Sequence, residues 1–141
     1  MEKENKLLSF QKQVKAISKD STNPFFKSAY FDINSLLESI KPIINELGLI
    51  ITQPLFITTE GKNALRTMII DSETEKTLAE SNIILPDIQD PQKIGSAITY
   101  YRRYSLQSLL LLEALDDDGE GAKQATVSDG YKKAFNKNND F

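Results

Sequence analysis

Neither cysteine nor histidine occurs among the 141 residues, and only three arginines stand against fourteen lysines. Without a thiol or an imidazole there is no disulfide, no thiolate or imidazole metal site, no cysteine nucleophile and no Ser-His-Asp relay. Any hydrolytic chemistry would fall to carboxylates, lysine, tyrosine or a carboxylate-held metal. The lack of cysteine suits a reducing compartment. Long apolar runs are missing too: the longest covers residues 109–112, far below the roughly 20 residues that span a bilayer. The charged start MEKENK is followed by no apolar signal stretch. The length suits one domain with its own core. The expectation is a soluble, cytoplasmic protein without a membrane partner.

The chain does carry charge, 17 basic against 20 acidic residues for a formal −3, which at first speaks against a nucleic-acid partner. The distribution tells more than the total. Both signs are interspersed through residues 1–85, whereas residues 91–112 hold Lys93, Arg102 and Arg103 and no acid. Glu113, Asp116, Asp117, Asp118 and Glu120 then follow with no base among them. Without those five the remainder is 17 basic against 15 acidic residues, a nearly neutral body beside one acidic block.

Periodicity orders the chain as α-α-β-β-β-α plus a tail. Leu7, Phe10, Val14 and Ile17 recur at steps of three and four, which predicts a helix over 4–19. A turn-rich stretch at 20–24 leads into the aromatic loop Phe25, Phe26, Tyr30 and Phe31. Asp32 caps a second helix with a stripe at Ile33, Leu36, Leu37, Ile40, Ile43, Ile44 and Leu47. Pro42 should kink or split it, and Gly48 stops it. Three β-rich runs follow at 49–58, 64–71 and 77–85, joined at hairpin lengths. Ile57, Leu65, Met68, Ile70, Ile83 and Leu85 are candidates for their inward faces, and Pro54 marks an edge or a bulge. Asp90-Pro91 opens a third helix running to about residue 115. The expected architecture is α+β, a three-stranded antiparallel meander packed on a long C-terminal helix and preceded by two helices. The working domain is 1–118, and 119–141 is expected to be a flexible polar tail.

Few motifs carry chemistry. Asp116, Asp118, Glu120 and Gly121 match positions 1, 3, 5 and 6 of a calcium-binding loop, but position 12 is Val127 and the flanking helix pair is missing. A solvated acidic helix end is the favoured reading. Gly95-Ser96 lacks a Walker lysine or a GxGxxG context, so no nucleotide site follows; Gly95 is expected to mark close approach to another backbone. No catalytic residue, metal or cofactor is expected, and the protein is read as a non-enzyme.

The strongest local signal is Ile98-Thr-Tyr-Tyr-Arg-Arg-Tyr-Ser105, where two of three arginines and three of five tyrosines sit together. Arginine beside tyrosine is what phosphate contact and base-tolerant stacking require. Thr99, Arg102 and Arg103 can share one helical face, with Tyr101, Tyr104, Ala97 and Ile98 turned to the sheet. The plain alternative is that these tyrosines are core and the arginines merely exposed. Asn23-Pro-Phe-Phe-Lys27 with Tyr30 is a second aromatic-basic cluster, placed in a loop.

Asn23-Pro24, Lys27, Tyr30, Ile40-Lys-Pro42, Gly48-Leu49, Gly95-Ser-Ala-Ile-Thr-Tyr100, Arg102-Arg-Tyr-Ser-Leu106 and Asp116-Asp-Asp-Gly119 together resemble the essential recombination function (ERF) single-strand annealing proteins of phages and prophages. The resemblance covers residues 7–120. It implies an ATP-independent annealing protein acting in a bacterial host cytoplasm. It also implies coating of single-stranded DNA as a homo-oligomeric ring or filament, and the fold of the eukaryotic annealing recombinases. By carry-over Arg102 and Arg103 are the first DNA contacts, then Lys27 and Tyr30. Lys93 and Thr99 extend the set, and Phe25, Phe26 and Tyr100 are candidates for base stacking. A single-strand-binding protein or an exonuclease is a further partner of that kind. Two other classes fit the element order: a double-stranded RNA-binding-like module, and a protein-interaction domain docking through the aromatic loop.

Overall fold

The computed structural model describes residues 4–17, 21–22, 29–30 and 32–114, the two short pieces as backbone alone. The expected tail and the acidic residues Asp116, Asp117 and Asp118 lie outside them. Three helices and a four-stranded antiparallel sheet make a mixed α+β fold.

Helix α1 (Lys6–Gln13) is capped by Asn5, whose side-chain oxygen accepts from the Leu7 and Leu8 amides. It is shorter than the expected 4–19. Val14 is already extended, and the Ile17 amide donates to the Glu113 carbonyl at 2.9 Å. A bridge to a residue nearly a hundred positions away replaces the helical ladder, while Val14 and Ile17 still pack on the core. The stretch expected as turn and loop contributes two short antiparallel strands, β1 (Ser21–Thr22) and β2 (Ala29–Tyr30), with Ser21 opposite Tyr30.

Helix α2 (Ile33–Glu46) buries Ile33, Leu36, Ile40 and Ile44, the stripe read from the sequence. It runs unbroken through Pro42. The proline and Glu38, whose carbonyl loses its donor, both lie on the exposed side, where water replaces the missing bond. Gly48, at φ +74°, ends the helix in the left-handed region that glycine occupies without strain.

Strands β3 (Leu49–Thr52) and β4 (Leu55–Ile57) both pair with one edge of β5 (Asn63–Asp71), and β6 (Thr77–Ile84) pairs with the other. The expected 49–58 run is thus one track broken at Gln53-Pro54. Proline has no amide to give the ladder, and its carbonyl accepts from the Arg66 amide at 3.0 Å. On β5 the buried set is Leu65, Thr67 and Ile69 on the helix side, with Ala64 buried opposite. Leu65 and Leu85 are buried as expected. Met68, Ile70 and Ile83 are only half-buried, and Ile57 is 71% exposed. Met68 and Ile70 are one residue out of phase with Ile69, the residue that meets the helices. In a period-two strand that slip moves a side chain to the other face.

Helix α3 (Pro91–Leu110) lies across β5 and β6 and meets α2, which covers β3. Phe10, Leu36, Ile40, Ile44, Leu49, Ile69, Leu106 and Leu110 form one buried cluster between helices and sheet. Each such side chain contributes roughly 1.5–3 kcal/mol by leaving water. The helix stops at Leu110 rather than near 115, because Leu111 turns left-handed (φ 53°) and the chain returns toward Ile17.

An ion pair fastens α1 to the end of β5: Lys6 Nζ donates to Asp71 Oδ1 at 2.8 Å. This hydrogen bond, then the Glu73 amide at 3.0 Å, holds the Asp71 carboxyl below its ordinary pKa. A carboxylate depressed in the folded state stabilises above its unfolded pKa and loses that contribution as pH falls through the folded one. Thermal melts should therefore show stability declining from about pH 5 downward. Lys6→Met should flatten the part of that decline due to Asp71.

Candidate nucleic-acid interface

Asp90 and Pro91 open α3 as expected: the Asp90 carboxylate accepts from the Gln92 amide at 3.1 Å, and proline fills the first helical position. From there the rotation of the helix decides what each residue of the arginine-tyrosine string can touch. Ser105, Leu106 and Leu110 are buried, with Ile98 and Tyr101 half-buried beside them.

Tyr100 and Tyr104, one turn apart, come out on the open side and are 46% exposed each. Their ring centroids lie 4.4 Å apart, tilted by 44°, and Tyr101 meets Tyr100 edge-on at 5.3 Å. The Arg103 guanidinium sits 5.5 Å from the centroids of both Tyr100 and Tyr104. Partial burial and then the neighbouring Tyr104 push the Tyr100 hydroxyl above its usual pKa. Tyr104 was expected to turn to the sheet, and it does not; it completes this exposed cluster.

Arg102, 100° further round the helix, faces a different surface. Its Nε donates to Gln53 Oε1 at 3.3 Å. Gln53 Nε2 in turn donates to Thr67 Oγ1 at 3.0 Å and to the Arg102 carbonyl at 3.1 Å. This small network orients the guanidinium toward a groove of about 360 Å³ between α2, β3 and α3, lined also by Lys41 and Asn45 over Leu37, Ile44 and Ile51. The expectation that Thr99, Arg102 and Arg103 share one face is thus corrected: adjacent helical residues diverge, and packing puts Arg102 and Arg103 on separate sides. Thr99 is exposed, and its hydroxyl donates to the Gly95 carbonyl at 3.2 Å. Lys93 is exposed in the first turn. Gly95 has open space where a Cβ would stand, so the expected close approach to another backbone is absent.

The third arginine, Arg66, lies on the opposite sheet face. Its guanidinium is 4.3 Å from the Phe56 centroid, and its Nε donates to Asn82 at 3.1 Å. The expected contacts Phe25, Phe26 and Lys27 fall outside the described residues. Tyr30 is placed by its backbone alone, in β2. Among the described residues no group of three histidines, cysteines or carboxylates could hold a metal ion, and no helix is long and apolar enough to cross a membrane.

Periodicity missed two sets of residues. Tyr104 was assigned to the wrong side of α3, although its spacing of four from Tyr100 is a stacking signal on any helix surface. Lys41, quoted only within Ile40-Lys-Pro42, and Asn45 and Gln53 carry no sequence signal as site residues, because what joins them is the packing of α2 on β3.

A family model for the ERF superfamily matches residues 4–140, nearly the whole chain. The protein belongs to the ERF superfamily. No curated protein and no solved structure shows significant similarity to it. Membership connects this ERF-superfamily chain, at a coarse level, with phage recombination and strand annealing and so with DNA. Within that frame the cation-bearing, acid-free segment 91–112 is the part of the described fold whose chemistry suits a polyanion.

Proposed function

We propose that this protein binds single-stranded DNA and anneals complementary strands without a nucleotide cofactor. One observation carries the reading: two exposed tyrosines in ring contact share the open side of α3 with an arginine. A ring face is sequence-tolerant and needs unpaired bases, and a guanidinium contacts the phosphates between them. Tyr100, Arg103 and Tyr104 form the centre of this interface, with Lys93 and Thr99 along the same helix. Lys27, Tyr30, Phe25 and Phe26 are further proposed DNA contacts.

A few cations per protomer hold a short stretch weakly. A homo-oligomeric ring or filament adds such contacts along one strand, so affinity comes from many protomers engaging together. Bases presented on the outside of a held backbone pair with a second strand, and duplex formation drives the reaction, which leaves no step for a catalytic residue. The helix-backed sheet is the annealing-recombinase-like core of this reading, and the bacterial cytoplasm is where it would act.

Annealing of complementary oligonucleotides without ATP, combined with a solution mass measurement, tests this. The expected result is annealing by an oligomer. Binding of oligo-dT should weaken with salt at a logarithmic slope of about −0.7 per phosphate contact. Preference for duplex RNA, or no nucleic-acid binding, overturns the proposal.

A further inference from the structure

The groove between α2, β3 and α3 joins cations to an apolar floor. Two cations, Lys41 and Arg102, line it over an apolar floor, and no carboxylate lines it among the described residues. Among the described residues neither cation meets a carboxylate: the hydrogen bond of the Arg102 side chain goes to the uncharged Gln53, and Lys41 takes part in none of the ion pairs. Gln53 is itself held by Thr67 and by the Arg102 backbone, so the guanidinium is oriented before any ligand arrives. Two cations beside Leu37, Ile44 and Ile51, with no carboxylate lining the groove among the described residues, suit a ligand that is anionic at one end and flat and apolar at the other. The volume of about 360 Å³ falls within the roughly 300–1,000 Å³ of small-ligand sites.

From this we infer that the groove seats one nucleotide unit of a bound single strand. Its phosphate lies between Lys41 and Arg102, and its sugar and base lie over the apolar floor beside Asn45 and Gln53. The inference rests on the single-strand binding proposed above and adds a contact site separate from the tyrosine face. The strand therefore touches α3 on two sides, and the divergence of Arg102 and Arg103 becomes a functional feature.

The test compares the full-length chain with Lys41→Ala and Lys41→Glu in oligo-dT binding across a salt series. Lys41 is exposed, so both variants should keep the wild-type melting temperature. Lys41→Ala should weaken binding roughly 3- to 10-fold and make the salt slope shallower by about 0.7, one phosphate contact. Lys41→Glu should weaken it further. Because the chain has no cysteine, Asn45→Cys carrying an environment-sensitive fluorophore reports on the groove in an otherwise native protein. Oligo-dT should shift its emission, while a label at Glu60→Cys, in the β4–β5 turn, should not respond. If the wild type binds oligo-dT but the Lys41 variants match its affinity and slope and the Asn45 label is silent, the groove assignment fails and the annealing proposal stands. If the wild type binds no oligo-dT, both fail. A response to sodium phosphate as large as that to oligo-dT overturns the nucleotide assignment.

Discussion

Tyr104→Ala is expected to weaken oligo-dT binding by about 1–3 kcal/mol, roughly 5- to 150-fold, with little change in folding stability. The ring stands on the exposed side of α3, 4.4 Å from Tyr100 and under Arg103, so its removal takes away a stacking face without opening a cavity. Tyr100→Ala should act in the same direction. The double variant should lose less than the sum of the two, because each ring already orders the other. Tyr104→Phe should bind nearly as well as wild type, since stacking uses the ring face and not the hydroxyl. Fluorescence anisotropy with labelled oligo-dT, paired with a thermal melt, reads both quantities. Wild-type affinity for Tyr104→Ala would remove this face from the interface, whatever the outcome at the groove.

The largest stability effect is expected at Leu106, two residues further along the same helix. Leu106→Ala should cost about 2–5 kcal/mol, the range for truncating a fully enclosed leucine. Leu106 has no exposed surface and belongs to the cluster formed by Ile40, Ile44, Leu49 and Ile69. The helices and the sheet therefore surround the space that the lost atoms would leave, and none can close it alone. Urea denaturation with an unchanged m-value and a lowered midpoint is the expected signature. Binding per folded molecule should change far less than in Tyr104→Ala. The two variants lie on one helix and separate its two functions, core and contact surface.

Both predictions depend on the rotation of α3, which its sequence signals less clearly than α2 signals its own. The stripe of α2 was legible because Ile33, Leu36, Ile40 and Ile44 repeat at helical spacing with polar residues between them. The Asp90-Pro91 start was equally clear, since the cap and the fixed φ of proline act locally. The arginine-tyrosine string has no such contrast: tyrosine is at home in a core or on a surface, and arginine can hide its stem. Its face assignment was correspondingly wrong for Tyr104 and for the pairing of Arg102 with Arg103. The sheet shows the same limit. Its strands were found, yet Met68 and Ile70 alternate with Ile69 in a uniformly apolar run that does not reveal its own register.

Composition had already excluded thiol and imidazole chemistry and isolated an acid-free segment bearing Lys93, Arg102 and Arg103. Local periodicity placed the helices and the three β-rich runs, and capping fixed the start of α3. These properties depend on residue type and on neighbours within a few positions, so they can be read along the chain. The tertiary structure alone decided which cations share a surface. Arg102 faces the groove because Gln53, 49 positions earlier, is held against it by the break between β3 and β4. Lys41 joins them because α2 packs on β3. A helix turns 100° per residue, so two adjacent arginines with the same sequence signal serve different surfaces once packing sets the phase.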